Sequence, residues 1–254
     1  MRTFACLLFV ALTMTACGKR GPLIYPDMLL PAPPTAVTVR QVGQAMKLSF
    51  MLTNKDRSGR DFKNLGGVTI FKRTSPEGQE PGCNACTEDF ALFRKLYLES
   101  APLERGVQRL GGLLLLLDSD VRVGEQYSYT VKPFTKDAID GQASVPETAT
   151  MVIPPHAPKL KADPDPVEIR LLFSDAPVGK EGFVGYNLYR APKGGLLPYV
   201  ALNKEPINDT SYTDSGLDRT LSYVYAARAV VRMPGGQLVE SELSNEVVTR
   251  LTDE

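Results

Sequence analysis

Tryptophan is absent from the chain, histidine occurs once, at position 156, and cysteine occurs four times in 254 residues. A single histidine confines any Ser-His-Asp relay to a residue set among Pro154, Pro155 and Pro158, and no Gly-x-Ser-x-Gly elbow supplies a nucleophile. Without tryptophan, sugar binding loses its strongest aromatic platform and falls back on tyrosine. Excess charge of either sign is missing too: 29 basic residues balance 29 acidic ones, so no positive field draws nucleic acid. Long apolar runs are absent. Residues 4–14 (FACLLFVALTM) fall well short of the roughly 20 residues that span a bilayer, and the leucines at 113–117 are shorter still. What remains, at 43% hydrophobic residues, is a globular chain able to bury one large core or two ordinary ones.

The first residues have the layout of an export signal: Arg2, the apolar run 4–14, then small Thr15 and Ala16. Met14-Thr15-Ala16-Cys17 resembles the lipobox of bacterial lipoproteins. That resemblance implies cleavage of residues 1–16 and covalent diacylglycerol and N-acyl lipid on Cys17, with no other cofactor. Gly18 in place of Asp implies sorting to the cell outer membrane, on either of its sides. Three acyl chains, at about 0.8 kcal/mol per buried methylene, hold a protein at its membrane. The run Cys17-Gly18-Lys19-Arg20-Gly21-Pro22-Leu23 also resembles the start of very short lipoproteins associated with the lipopolysaccharide translocon, with Arg20 where they carry Lys. This second resemblance implies outer-membrane biogenesis through the lipidated peptide itself. Alternatively, residues 17–34 are a solvated tether: Pro22, Pro26, Pro31, Pro33 and Pro34 favour extended chain, about 3.1 Å per residue.

Beyond residue 34 the chain repeats itself. Asp118 precedes Tyr127-Ser128-Tyr129 by the same step as Asp214 precedes Tyr223-Val224-Tyr225 (127 − 118 = 223 − 214 = 9). Keeping that offset of 96 pairs residues 148–152 with 244–248 without a gap. Upstream, Gly67 to Lys72 pairs with Gly185 to Arg190 at an offset of 118, so the first copy carries 118 − 96 = 22 additional residues. Apolar and polar residues alternate with period two in both copies, and Gly, Pro, Asn and Asp separate short runs, as in antiparallel sandwiches. Residues 88–98 suit either a strand or a helix, and 113–117 read as a strand buried on both faces. Tyr212-Thr213-Asp214, Tyr223-x-Tyr225 and Ser244-Asn245-x-Val247 resemble the fibronectin type III family. The resemblance implies an all-β chain of two tandem antiparallel β-sandwiches, over residues 35–153 and 154–254, with Tyr127 and Tyr223 as tyrosine corners bonded to backbone. It also implies a core tryptophan that this chain lacks; Leu48, Phe50, Ile169, Leu171 and Phe173 are expected to fill that volume. The prolines of residues 153–158 are expected to stiffen the link.

The additional residues of the first copy surround Cys83-Asn84-Ala85-Cys86. A disulfide, a redox pair and half of a metal site compete here. An oxidising compartment favours the disulfide; the redox reading needs a low-pKa thiolate and the metal reading two more ligands. Thr87 in place of His excludes c-type haem attachment. Asp118 with Asp120, and Asp163 with Asp165, are acids at the spacing of turns, where Asp accepts backbone hydrogen bonds, rather than a glycosidase pair or a calcium loop. No catalytic residue and no metal site is assigned. The sequence therefore points to a non-catalytic lipoprotein whose partners are the membrane and an envelope protein, not nucleic acid. Sheet edges, end loops and above all the insertion at 76–88 are the expected docking surfaces.

Overall fold

A computed structural model describes residues 25–76, 78, 89–99, 106–175 and 182–253. Eight strands precede residue 153: β1 Thr35–Val42, β2 Ala45–Met51, β3 Leu65–Pro76, β4 Ala91–Tyr97, β5 Val107–Leu110, β6 Leu113–Asp118, β7 Glu125–Thr135 and β8 Glu147–Thr150. Seven follow: β9 Lys159–Pro164, β10 Glu168–Ser174, β11 Phe183–Pro192, β12 Ser211–Ser215, β13 Tyr223–Arg232, β14 Leu238–Glu240 and β15 Val247–Thr249. The fold is all-β, two fibronectin type III-like sandwiches. In the first, β1-β2-β6-β5 faces β4-β3-β7-β8; in the second, β9-β10-β12 faces β11, β13 and β15. Period-two alternation supplies each core from both sheets. Met46, Leu48 and Phe50 of β2 meet Val68 and Ile70 of β3 and Tyr127, Tyr129 and Val131 of β7. Ile169, Leu171 and Phe173 of β10 meet Tyr186, Leu188 and Tyr225. Leu48, Phe50, Ile169, Leu171 and Phe173, the residues expected to stand in for a core tryptophan, are all buried in the two cores, and Phe173 stacks on Tyr186 with ring centroids 4.4 Å apart.

Of the stretch that suited either period, Ala91–Tyr97 form the edge strand β4, paired antiparallel with β3 across a bulge between Ile70 and Phe71. The strand β6 is buried on both faces as expected: Leu114 and Leu116 enter the core, while Leu115 on the opposite face is only 3% exposed.

Two expectations need correcting. The ungapped offset of 96 fails in the last strand of the repeat. Tyr127 lies opposite Ala149 and Tyr223 opposite Thr249, so the true offset there is 249 − 149 = 100. Side chains agree: Ser144 Oγ accepts from Val131 N and Ser244 Oγ from Ala227 N, partners 13 and 17 residues apart. The second copy has four more residues in this connection, and β14 lies within it. The tether, exposed at Tyr25 and Leu29, is nevertheless not free of the first sandwich over residues 28–32. Ser58 N donates to Met28 O, Arg57 N to Leu30 O and Ala32 N to Lys55 O, so this segment lies along the first sandwich as a surrogate strand. Extended, proline-rich chain exposes its carbonyls, and the 55–58 turn has N–H groups to match.

Gly67 and Gly185 hold the same place in the two copies because a neighbouring carbonyl comes too near for a side chain. A Cβ on Gly67 would lie 2.1 Å from Leu96 O, and one on Gly185 2.5 Å from Ile207 O. Gly67→Ala is expected to destabilise the protein by about 3 kcal/mol, because backbone must move; urea unfolding of the two proteins side by side measures it.

Candidate binding site at the junction of the two sandwiches

Two of the buried carboxylates, Asp118 and Asp214, are the centres of one repeated cluster. Asp118 accepts from Tyr129 Oη at 2.6 Å, takes Lys72 Nζ at 2.6 Å and caps Asp120 N at 2.9 Å. Asp214 accepts from Tyr225 Oη at 2.7 Å and pairs with Arg190 Nη1 at 2.8 Å. Each cation also lies over the ring of the corner tyrosine: Lys72 Nζ is 4.7 Å from the Tyr127 centroid and the Arg190 guanidinium 5.4 Å from that of Tyr223. The corners form as expected, with Tyr127 Oη accepting from Arg122 N and Tyr223 Oη from Asp218 N. These aspartates tie one sheet to the other. Asp165 is a turn residue, accepting from Val167 N and Glu168 N, which holds its carboxyl below the usual range. His156 is exposed. Cys17, Cys83, Cys86 and nearly all of the insertion at 76–88 lie outside the described residues.

The unforeseen feature is the junction. Strand β14 pairs antiparallel with β13 of its own sandwich and parallel with β1 of the other, Gln41 opposite Val239 and Val42 opposite Glu240. Gly43 N extends this ladder to Glu240 O at 2.9 Å. One eight-stranded sheet therefore runs through both sandwiches. Glu240, 5% exposed, accepts from Tyr189 Oη at 2.5 Å and from Lys47 Nζ at 3.3 Å, and Lys47 also donates to Tyr199 O. Burial, and then the Glu240 charge, push the Tyr189 phenol up. Glu242 accepts from Gln44 N and occupies the space over Gly43.

Carboxamides finish what strands leave open. Gln237 bonds both N and O of Thr150, Gln41 both N and O of Val152, and Gln108 spans Leu197 O and Tyr199 N. Each side chain imitates a strand, giving one donor and one acceptor to backbone groups that need both. Asn245 does the same for Leu160 within the second sandwich. The Gln237 and Gln108 bonds cross from one sandwich to the other, so the junction rests on more than the β14 ladder.

Above the shared sheet, the connection from β11 to β12 reaches over the first sandwich and leaves a groove of about 530 Å³. Thr38, Arg40 and Leu113 line it from the first sandwich; Val200, Lys204 and Leu238 line it from the second. Arg40 also borders an adjacent hollow of about 660 Å³, with Arg232 and Gln237. This composite surface exists because the halves are fused. No residue of it stood out in the sequence as part of a binding surface; the signal that existed was the four-residue lengthening before β15, which an ungapped comparison absorbs.

No protein-family model matches the chain, and no curated protein matches it. Solved structures do. The FN1–FN3 domains of chicken CNTN1 match at 14% identity over 87% of this chain, which spans 66% of that fragment, with a TM-score of 0.32. A myokine matches at 15% identity over 39% of this chain and 99% of its own, TM-score 0.31. An Fn3-like protein from Clostridium thermocellum matches at 29% identity over 39% of this chain and 96% of its own, TM-score 0.31. The assignment of fold rests on strand order and the two tyrosine corners, not on these overlaps.

Asp214→Ala is expected to cost about 3 kcal/mol in urea unfolding, because Arg190 and the Tyr225 hydroxyl lose their shared acceptor. Alkali tests the corner. Burial, and then the bond to Glu125, push the Tyr127 phenol up to about 12. Its contribution is whole below the ordinary phenol range and is lost as pH rises from about 10 through 12. Unfolding free energy is expected to fall across that window, and Tyr127→Phe to flatten the fall.

Proposed function

We propose that the chain is a non-catalytic lipoprotein, held at the bacterial outer membrane by lipid on Cys17, whose paired sandwiches bind or space proteins of the cell envelope. One observation carries the non-catalytic part: each of the buried carboxylates among the described residues is already committed. Asp56 caps Ser58 and Arg60 of its own turn, Asp118 and Asp214 hold a tyrosine and a cation each, and Glu240 holds Tyr189 and Lys47. Acids so committed to neighbouring donors have no open lone pair to offer acid–base chemistry. Anchoring rests on the lipobox resemblance at residues 14–17. A disulfide between Cys83 and Cys86 fits an exported chain and belongs to the same reading.

Cys17→Ala is expected to move the protein from the membrane to the soluble fraction of a lysed cell, with its thermal unfolding unchanged; a variant that still pellets with membranes refutes the anchor. The rival reading, outer-membrane biogenesis through the lipidated peptide, rests on residues 17–23. Replacing 19–23 with a neutral linker is expected to leave the outer-membrane permeability barrier intact if the sandwiches do the work, and to breach it if the peptide does.

A further inference from the structure

We propose that the groove at the junction receives an extended acidic–apolar polypeptide segment of a partner protein, with a carboxylate of that segment set against Arg40. This inference rests on the binding-module reading and assigns its surface. Charge points to the occupant. Among the described residues Arg40, Lys204 and Arg232 take part in no ion pair, whereas the acid in the floor, Glu240, is consumed by Lys47 and Tyr189. That leaves Glu205 as the groove's one uncommitted carboxylate against Arg40 and Lys204 on its rim, with Arg232 in the adjacent hollow that Arg40 also borders. Arg40 and Arg232 lie on strands either side of β14. Two strand spacings, about 9.6 Å, separate them, and an extended chain sets alternate side chains about 7 Å apart; flexible guanidiniums can meet two such carboxylates.

The shape agrees with the charge. A volume of about 530 Å³ suits a few side chains and lies within the usual range of binding clefts. Leu113, Val200 and Leu238 give it apolar contact at intervals, while the Thr38 and Ser49 hydroxyls satisfy one another at 2.7 Å and demand nothing of a ligand. A segment alternating acidic and apolar residues puts carboxylates toward the rim and apolar side chains toward the floor. A bilayer is too broad to enter the groove.

The test is fluorescence anisotropy of a labelled peptide, acetyl-Val-Glu-Val-Glu-Val-Glu-Val-amide, titrated with the full-length mature lipoprotein in detergent micelles. Saturable binding is expected, at least tenfold weaker for the peptide with Gln in place of Glu, and at least tenfold weaker for Arg40→Glu. The Arg40 side chain is exposed and makes no hydrogen bond, so this variant should melt like the parent. Val200→Trp, which fills the groove from an exposed connection, is expected to abolish binding. Equal affinity for the Glu and Gln peptides, or a peptide affinity untouched by both variants, overturns the proposal. So does an Arg40-dependent association with phosphatidylglycerol vesicles in the absence of any peptide response. The measurement is independent of anchoring: failure of the Cys17→Ala fractionation leaves the peptide result standing, and failure of the peptide leaves the anchor standing.

Discussion

Three residues of β14 decide what kind of molecule this is. Leu238 to Glu240 complete a hairpin with β13 and at the same time pair with β1, some 200 residues earlier in the chain. Backbone groups that a lone sandwich would leave to solvent are thereby matched between sandwiches. A buried carboxylate at the end of the ladder sharpens this. Glu240 is tolerable inside only with Lys47 and Tyr189 in place, and Lys47 comes from the other sandwich. A shifted register would strand the charge, so the ion pair specifies alignment more than it adds stability. Relative orientation is therefore held by this ladder and by Gln108 and Gln237, in addition to the connection through residues 153–158, whose prolines were expected to stiffen it.

The sandwiches were legible in the sequence and the junction was not, for a physical reason. Tyr127, Tyr129 and Asp118 recur as Tyr223, Tyr225 and Asp214 because each does a job that few other residues can do. A hydroxyl must reach backbone across a corner, and a carboxylate must hold a phenol and a cation between sheets. Such demands leave spacing in the sequence. A three-residue parallel pair leaves none, since backbone makes it and almost any side chain permits it. The carboxamides are equally silent. Gln41, Gln108 and Gln237 act through bonds to backbone, and nothing in their neighbours distinguishes them from surface glutamines until the opposing strand is seen.

The copies also show how one design tolerates different chemistry. Lys72 meets Asp118 with a point charge and spends a second hydrogen bond on Asp120 O. Arg190 instead sets one nitrogen 2.8 Å from both oxygens of Asp214. Both cover the corner tyrosine ring, so the aromatic face is shielded in either case. Besides the insertion in the first copy, the copies differ in the connection between their last strands. There the second sandwich carries four more residues, and the additional length is what reaches the neighbour.

The direction of β14 has a mechanical consequence. Because β14 runs parallel to β1, a pull applied to the chain before Thr35 while the second sandwich is held meets the ladder lengthwise. Its bonds are strained together, in shear, instead of opening one after another like a zip. Tension along the N-terminal segment is therefore resisted at the junction by the strongest arrangement a few hydrogen bonds can take, and the six-residue proline link is spared most of it.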